Sequence, residues 1–291
     1  MKVGLTAYDV PAQEFVEIAR AADEAGFDSL WIGEHIVLPF GYASDHPTKQ
    51  LPGAQHRTAP IVSPDTELVD PLVQLAAAAA VTTHLRLATG IYLLPLRHPL
   101  TTARAVCTLQ EIAAGRFMFG LGFGWLEEEF VALGIPFAER VTRFEETIDI
   151  LRQAWRSGPI DHHGRHFTIE RVQSTKHVTT VPLILGGNTD RALQRAARLG
   201  DGWFSSGTPS FEQSSRLSAE LLRLRHESDV EGRFELIFRI AGCDPATVRR
   251  YADEGFDNVL IWTDQVWPTV GTLEEKRTSL FAAAATLGLH R

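Results

Sequence analysis

Apolar positions follow two rhythms that alternate along this chain. Short, nearly continuous apolar runs suit strands buried on both faces. Between them lie longer stretches with apolar residues three and four apart, the spacing of a helix that rests one face on a core. The stretch 11–25, for example, carries Phe15, Val16, Ile18, Ala19 and Ala22 on one side. One junction between the rhythms recurs. Residues 22–32 (ADEAGFDSLWI) are echoed by residues 252–262 (ADEGFDNVLIW) and, more loosely, by residues 196–204 (AARLGDGWF). Each copy reads as a helix end, a glycine and an apolar strand. Glycine suits the left-handed position that closes a helix, so Gly26, Gly255 and Gly200 are all expected there.

A repeated helix–glycine–strand unit is the expected seam of a β/α barrel. Extending it predicts strands near 3–7, 29–32, 85–91, 117–122, 183–186, 202–205, 236–241 and 259–262, with helices between them. That count is the count of an α/β fold of the (β/α)8 TIM barrel type. No linker divides the 291 residues, so a single domain over 1–291 is expected. Asp70-Pro71 and Asp244-Pro245 are helix starts, with Asp as N-cap and Pro in the first turn. Thr142–Glu145 reads as a capping box, and the last helix runs from about 273 to 287. Two segments leave the rhythm. Residues 36–67, rich in Pro, Gly, His and polar side chains, form an inserted lid loop after strand 2. Residues 160–172 form a small hairpin before strand 5, turning at His163-Gly164-Arg165.

Composition narrows the partners. Apolar residues make up 44% and net charge is −8, with no basic block, which argues against nucleic acid. The most apolar stretch, 72–96, is interrupted or bounded by Gln74, His84, Arg86 and Arg97, so no membrane span is expected. The opening MKVGLTAYDV reads as a strand and lacks the apolar region of a signal peptide. Cys107 and Cys243 lack metal or disulfide spacing and read as packed thiols. A cytoplasmic protein with a small-molecule substrate is expected.

Chemistry in such a barrel belongs at the C-terminal strand ends. Strand 2 delivers Glu34-His35, a carboxylate and an imidazole able to exchange protons near neutral pH. Either residue is also at home in a purely structural role. Strand 4 ends in Gly120-x-Gly122-x-Gly124-Trp125; the glycines admit a flat ring or simply fit a crowded mouth. Glu127–Glu129 read as a solvated helix start. Strand 5 ends in Gly186-Gly187-Asn188-Thr189 before a helix near Asp190, and strand 6 in Ser206 and Thr208. Backbone N–H groups at a helix N-terminus with nearby hydroxyls suit a phosphate; the same glycines suit a tight left-handed turn. His162, His163 and His166 specify no metal site, because neighbours on a strand face opposite sides. Four lysines occur (2, 49, 176 and 276), none at a predicted strand end, which removes a Schiff-base aldolase. Strand 1 lacks the His-x-His of a barrel hydrolase.

On these segments the chain resembles the luciferase-like monooxygenase superfamily, and within it the subgroup that uses coenzyme F420, a deazaflavin. The resemblance is carried by SLWIGEH (29–35), LATGIYLLPLRHP (87–99), GRFMFGLGFGWLEEEF (115–130), RFEETI (143–148), PLILGG (182–187) and GDGW (200–203). It implies a cofactor ring over Thr89, Gly90 and Ile91, with a non-prolyl cis peptide at Gly90–Ile91. It implies a tail crossing Gly122, Gly124 and Trp125, and a phosphate at Leu185, Gly186, Gly187 and Ser206. His35 would be the acid–base group or substrate anchor, and Glu34 would bond the ring's polar edge or orient His35. Sugar-phosphate dehydrogenases of this superfamily have Asp-His and a later Glu where this chain has Glu34-His35 and Trp125. The resemblance therefore leaves the proton donor open; Trp125, Phe40 and Tyr92 instead suit an apolar or aromatic substrate. FMN, in a two-component monooxygenase, is the alternative cofactor, and a non-catalytic flavin-binding barrel is a further one. The Ala-rich helix 71–83 is expected to pair two copies into a homodimer.

Overall fold

The apolar runs pair side by side into a closed parallel barrel. The structure, a computed structural model, describes residues 1–46, 62–174 and 179–290. In chain order the first half comprises β1 (Lys2–Ala7), α1 (Ala12–Ala25), β2 (Ser29–Ile32), α2 (Pro71–Ala80), β3 (Arg86–Thr89), β4 (Tyr92–Leu93), α3 (Pro99–Ile112), β5 (Phe117–Gly122), α4 (Glu127–Ala132) and α5 (Arg140–Ala154). The second half comprises β6 (Ile160–His163), β7 (Thr168–Val172), β8 (Leu183–Gly186), α6 (Asp190–Leu199), β9 (Gly202–Phe204), α7 (Phe211–Glu227), β10 (Glu235–Arg239), α8 (Pro245–Asp253), β11 (Asn258–Trp262) and α9 (Leu273–Thr286). Strands β1, β2, β3, β5, β8, β9, β10 and β11 pair in parallel in that order, and β11 pairs back onto β1. This is the (β/α)8 barrel. β6 and β7 form the separate antiparallel hairpin expected at 160–172.

The strand expected at 85–91 is interrupted. β3 stops at Thr89, the Gly90–Ile91 peptide is cis, and the short β4 resumes pairing with β5. Two other expectations fail for local reasons. Gly26 and Gly255 have φ of 88° and 87°, the left-handed form. Gly200 instead is extended, with φ −95° and ψ 159°. What requires glycine there is close approach: a Cβ would lie 2.8 Å from the Gly202 carbonyl oxygen and 2.9 Å from that of Ala196. Thr142 does not begin a capping box, because α5 already starts at Arg140, running on from a 3-10 turn. Its hydroxyl donates to the Glu139 carbonyl and meets His166 Nε2. True capping boxes stand at Ser210–Gln213 and Thr272–Glu275. The two Asp-Pro starts cap α2 and α8 as expected.

Alternation along the strands separates two cores. Leu5, Leu30, Phe119, Leu183, Phe238 and Ile261 face the helix layer. Trp31, Ala88, Met118, Ile184, Phe204, Ile237 and Leu260 fill the lumen. At the N-terminal ends of the strands, Arg86 bonds Asp28, Glu235 and Asn258. This polar plug closes the floor and leaves ligands the C-terminal face. Both cysteines are free thiols, Cys107 buried and Cys243 partly so. No helix among the described residues is long and apolar enough to cross a membrane.

Candidate active site

At the end of β2 the chain turns through Gly33 and presents Glu34 and His35 in opposite directions. Glu34 is buried and accepts three hydrogen bonds: Leu93 N–H at 2.6 Å and the Arg97 guanidinium at 2.8 and 2.6 Å. Burial pushes its carboxyl above the usual range, against the opposing pull of Arg97 and the Leu93 N–H. Arg97 also lies 4.1 Å from the centroid of the Tyr92 ring. Glu34 is therefore a tie between β2 and the β3–β4 bulge, and does not orient His35. Tyr92 is 2% exposed and packs on Phe119, and burial pushes its hydroxyl up to about 12. It supports the bulge from beneath and presents no surface to a substrate. Phe40 is 97% exposed.

The orienting group for His35 is Glu129, which sequence reasoning had assigned to a solvated helix start. Glu129 is completely buried, with Oε2 2.7 Å from His35 Nδ1. Its Oε1 accepts the N–H groups of Ile36 at 2.6 Å and Val37 at 3.2 Å. With two backbone donors already on this carboxylate, a neutral His35 bonded to it carries its proton on Nδ1 and leaves Nε2 out of that bond. The neighbouring Glu128 accepts the Ala43 N–H and the Ser44 hydroxyl. The start of α4 thus fastens residues 36–44, where the expected lid begins. Residues 47–61 of that lid lie outside the described residues. Trp125 makes edge contacts with His35, Tyr42 and His46, at 5.7, 5.5 and 4.8 Å between centroids.

Beside His35 lies the bulge. Thr89 is buried and its hydroxyl donates to the Gly120 carbonyl. A Cβ at Gly120 would strike the Thr89 carbonyl oxygen, and one at Gly122 would strike Cδ1 of Ile91. A Cβ at Gly186 would lie 3.3 Å from Cγ2 of Ile91. Gly120 is thus glycine because the end of β3 crowds it and Gly122 because the Ile91 side chain does, and that side chain lies against both Gly122 and Gly186. Gly124 is glycine for its own backbone, at φ 80°.

The second cradle joins β8 to β9. Gly187 has φ 118°, a conformation open to glycine. Its carbonyl accepts the Trp203 indole N–H at 2.7 Å. The Asn188 side chain clips both backbone groups of Ser206, at 2.8 and 2.9 Å. Gly186, Gly187 and Ser206 therefore form one rigid rim at the N-terminus of α6, whose first turn is capped by Thr189. This donor set, backbone N–H groups and hydroxyls at a positive helix end, fits a phosphate. Leu185 does not share the rim through its side chain, which faces the helix layer; on β8 it is Ile184 that points into the lumen.

The three hairpin histidines go to different partners. His162 bonds Glu146, His163 is exposed beside Asp161, and His166 bonds Thr142. No cluster of metal-ligating side chains occurs among the described residues. Lys2 lies in β1 and Lys276 in α9, while Lys49 and Lys176 lie outside the described residues.

The model of the luciferase-like monooxygenase family matches residues 2–243. An uncharacterised protein of Mycobacterium tuberculosis is 30% identical over 249 residues, 85% of this chain and 84% of the relative. An F420-dependent glucose-6-phosphate dehydrogenase of Nakamurella multipartita is 26% identical over 213 residues, 71% of this chain and 56% of that enzyme. The fold is shared with a monooxygenase from Streptomyces bottropensis, at TM-score 0.77 and 20% identity over 99% of this chain and 98% of that one. It is shared with an F420-dependent secondary alcohol dehydrogenase bound to an F420–acetone adduct, at TM-score 0.74 and 15% identity over 98% of both chains. It also matches the FMN-bound oxygenating constituent of 3,6-diketocamphane monooxygenase from Pseudomonas putida, at TM-score 0.61 and 19% identity over 88% and 72%.

Proposed function

Because this chain belongs to the luciferase-like monooxygenase family and is an oxidoreductase, we propose that it transfers a hydride between coenzyme F420 and a small apolar or aromatic substrate. The observation that carries this reading is the His35–Glu129 pair beside the Ile91-covered floor of Gly122 and Gly186. When bound, F420 would supply the two-electron hydride carrier. The chain's own residues do the rest. Ile91 and the bulge would form the seat for the ring, and the Gly186–Gly187–Ser206 rim would take the phosphate. Glu34 and Arg97 hold the bulge in place as positioning residues. His35 moves the proton that accompanies the hydride through Nε2, while Glu129 fixes its tautomer and stabilises the imidazolium. Trp125 gives the substrate an aromatic wall. Relatives described as F420-dependent support the cofactor. An FMN-dependent monooxygenase is the second reading, supported by the FMN-bound structural neighbour.

The reading is tested by turnover of His35→Ala against the parent with reduced and oxidised F420. Retained cofactor binding with lost turnover supports it; full turnover without the imidazole contradicts it. We also propose a homodimer through α2 and α3. Val73 on α2 is 72% exposed, and Leu72, Ala76, Leu100 and Ile112 line an open apolar groove of about 750 Å³ between these helices.

A further inference from the structure

The segment that follows β2, residues 36–46, is held at two places, and the two holds differ in kind. At its inner end, Glu129 accepts the N–H groups of Ile36 and Val37 from a fully buried position. Near its outer end, Glu128 accepts the Ala43 N–H and the Ser44 hydroxyl, both at 2.8 Å. Ser44 also answers in the other direction, because its oxygen accepts the Glu127 N–H at 3.1 Å. Leu126, at the N-cap position of α4, offers no side-chain cap. A hydroxyl 83 residues away in sequence therefore satisfies one of the free N–H groups of that helix end. These three bonds make a clasp between residues 43–44 and the first turn of α4.

The clasp joins the chain neighbours of an aromatic pair. Tyr42 directly precedes Ala43, and Trp125 lies just ahead of Glu127 and Glu128. The Tyr42 and Trp125 rings meet edge to face at 5.5 Å between centroids, and the Trp125 ring meets His35 at 5.7 Å. The His35 side chain is only 6% exposed. Its Nδ1 is engaged by Glu129, so a substrate must reach Nε2, and at this exposure the surroundings of the ring must part first. The two holds differ in how easily they yield. Glu129 is buried and bonded at both oxygens, whereas the Glu128–Ala43 bond is open to water. Residues 33–46 carry neither strand nor helix, and water-exposed hydrogen bonds on such a segment open at low cost.

We propose that Glu128 is a positioning residue for the substrate: its clasp holds Tyr42 against Trp125, and release of the clasp uncovers Nε2 of His35. The proposal rests on reading His35 as the proton-transfer group, and it names the residue that governs access to it. The test is timed labelling of the full chain with diethyl pyrocarbonate at neutral pH, each modified histidine being located by peptide mass spectrometry. In the parent, His35 is expected to react far more slowly than the exposed His163. Glu128→Ala is expected to raise the His35 rate about three- to ten-fold, the worth of the hydrogen bonds removed, with the His163 rate and the thermal midpoint unchanged. Ser44→Ala is expected to act in the same direction, and the double variant to fall short of the product of the two. Glu128→Gln still accepts the Ala43 N–H and is expected to lie between the parent and Glu128→Ala. A His35 rate that Glu128→Ala leaves unchanged overturns the proposal. So does a rise shared by His163 and the other histidines, which marks general loosening, or a double variant equal to the product of the singles, which separates the contacts from one another. Glu128→Gln reacting as fast as Glu128→Ala overturns it as well. Labelling needs no cofactor, so the clasp can stand in a chain that binds neither F420 nor FMN, and can fail in one that turns over.

Discussion

Single residues at the mouth divide into those that act and those that hold, and the division is set by who their hydrogen-bond partners are. His35 is held at Nδ1 by a buried carboxylate. His35→Ala is expected to lower turnover roughly 100- to 10,000-fold with cofactor affinity intact. Glu129→Gln, which keeps the shape but removes the charge, is expected to lie between the parent and that variant in kcat, with KM little changed. Equal kcat in Glu129→Gln and the parent would remove the pair from catalysis. Glu34 is a different case. In Arg97→Met it stays buried with its ionic partner gone, which costs about 3–5 kcal/mol at neutral pH. A carboxyl whose folded-state pKa is raised keeps a proton in the fold that it releases on unfolding. The loss therefore grows as pH rises above the unfolded value of 4.5. Urea unfolding at about pH 5 and about pH 8 checks this, and an equal loss at both would show that Glu34 is not the source. Adding Glu34→Gln should recover much of the loss at the higher pH. Glu34-His35 was legible in the sequence as the end of an apolar strand. Glu129 was not, because nothing local distinguishes it from Glu127 and Glu128. Its partner is 94 residues away, and it is the pairing of β3 with both β2 and β5 that brings the two strand ends near each other.

Elements meet at the mouth through glycines whose reasons differ. The crowding at Gly120 involves backbone, whereas that at Gly122 involves the far end of a side chain. Gly120→Ala is therefore expected to destabilise by about 1–3 kcal/mol or more, with no side-chain remedy. Gly122→Ala should be rescued by Ile91→Val, which removes the Cδ1 it strikes. Thermal unfolding of the single and double variants measures both, and failure of Ile91→Val to rescue would place the clash elsewhere. The eight barrel strands were readable because each is a short apolar run, and all but β1 come after a helix. The break of β3 at Gly90–Ile91 was expected only from family resemblance, since nothing in the apolar pattern of 85–91 marks it. Gly200 shows the limit of repeat reasoning. The junction recurs, yet its glycine answers to the backbone of β9 rather than to a left-handed turn. Thr142 shows the limit of motif reasoning: a Ser/Thr-x-x-Glu pattern also occurs within a helix that has already begun.

For the whole molecule, the Arg86 network fills the floor of the barrel, and the proposed chemistry belongs to the opposite end. The exposed apolar strip on α2 and α3 is a separate surface, and it makes a prediction of its own. Sedimentation velocity at micromolar concentration is expected to show a dimer, and Val73→Glu a monomer. A monomeric parent would contradict that assembly. The barrel count was available from periodicity. The choice between F420 and FMN was not, because neither periodicity nor the residues at the strand ends specify which of the two cofactors the mouth takes. A fluorescence titration of the purified chain with F420 and with FMN tests the central claim most directly. Tight binding of F420 with weak binding of FMN is expected; a preference for FMN, or binding of neither, would contradict an F420-dependent oxidoreductase.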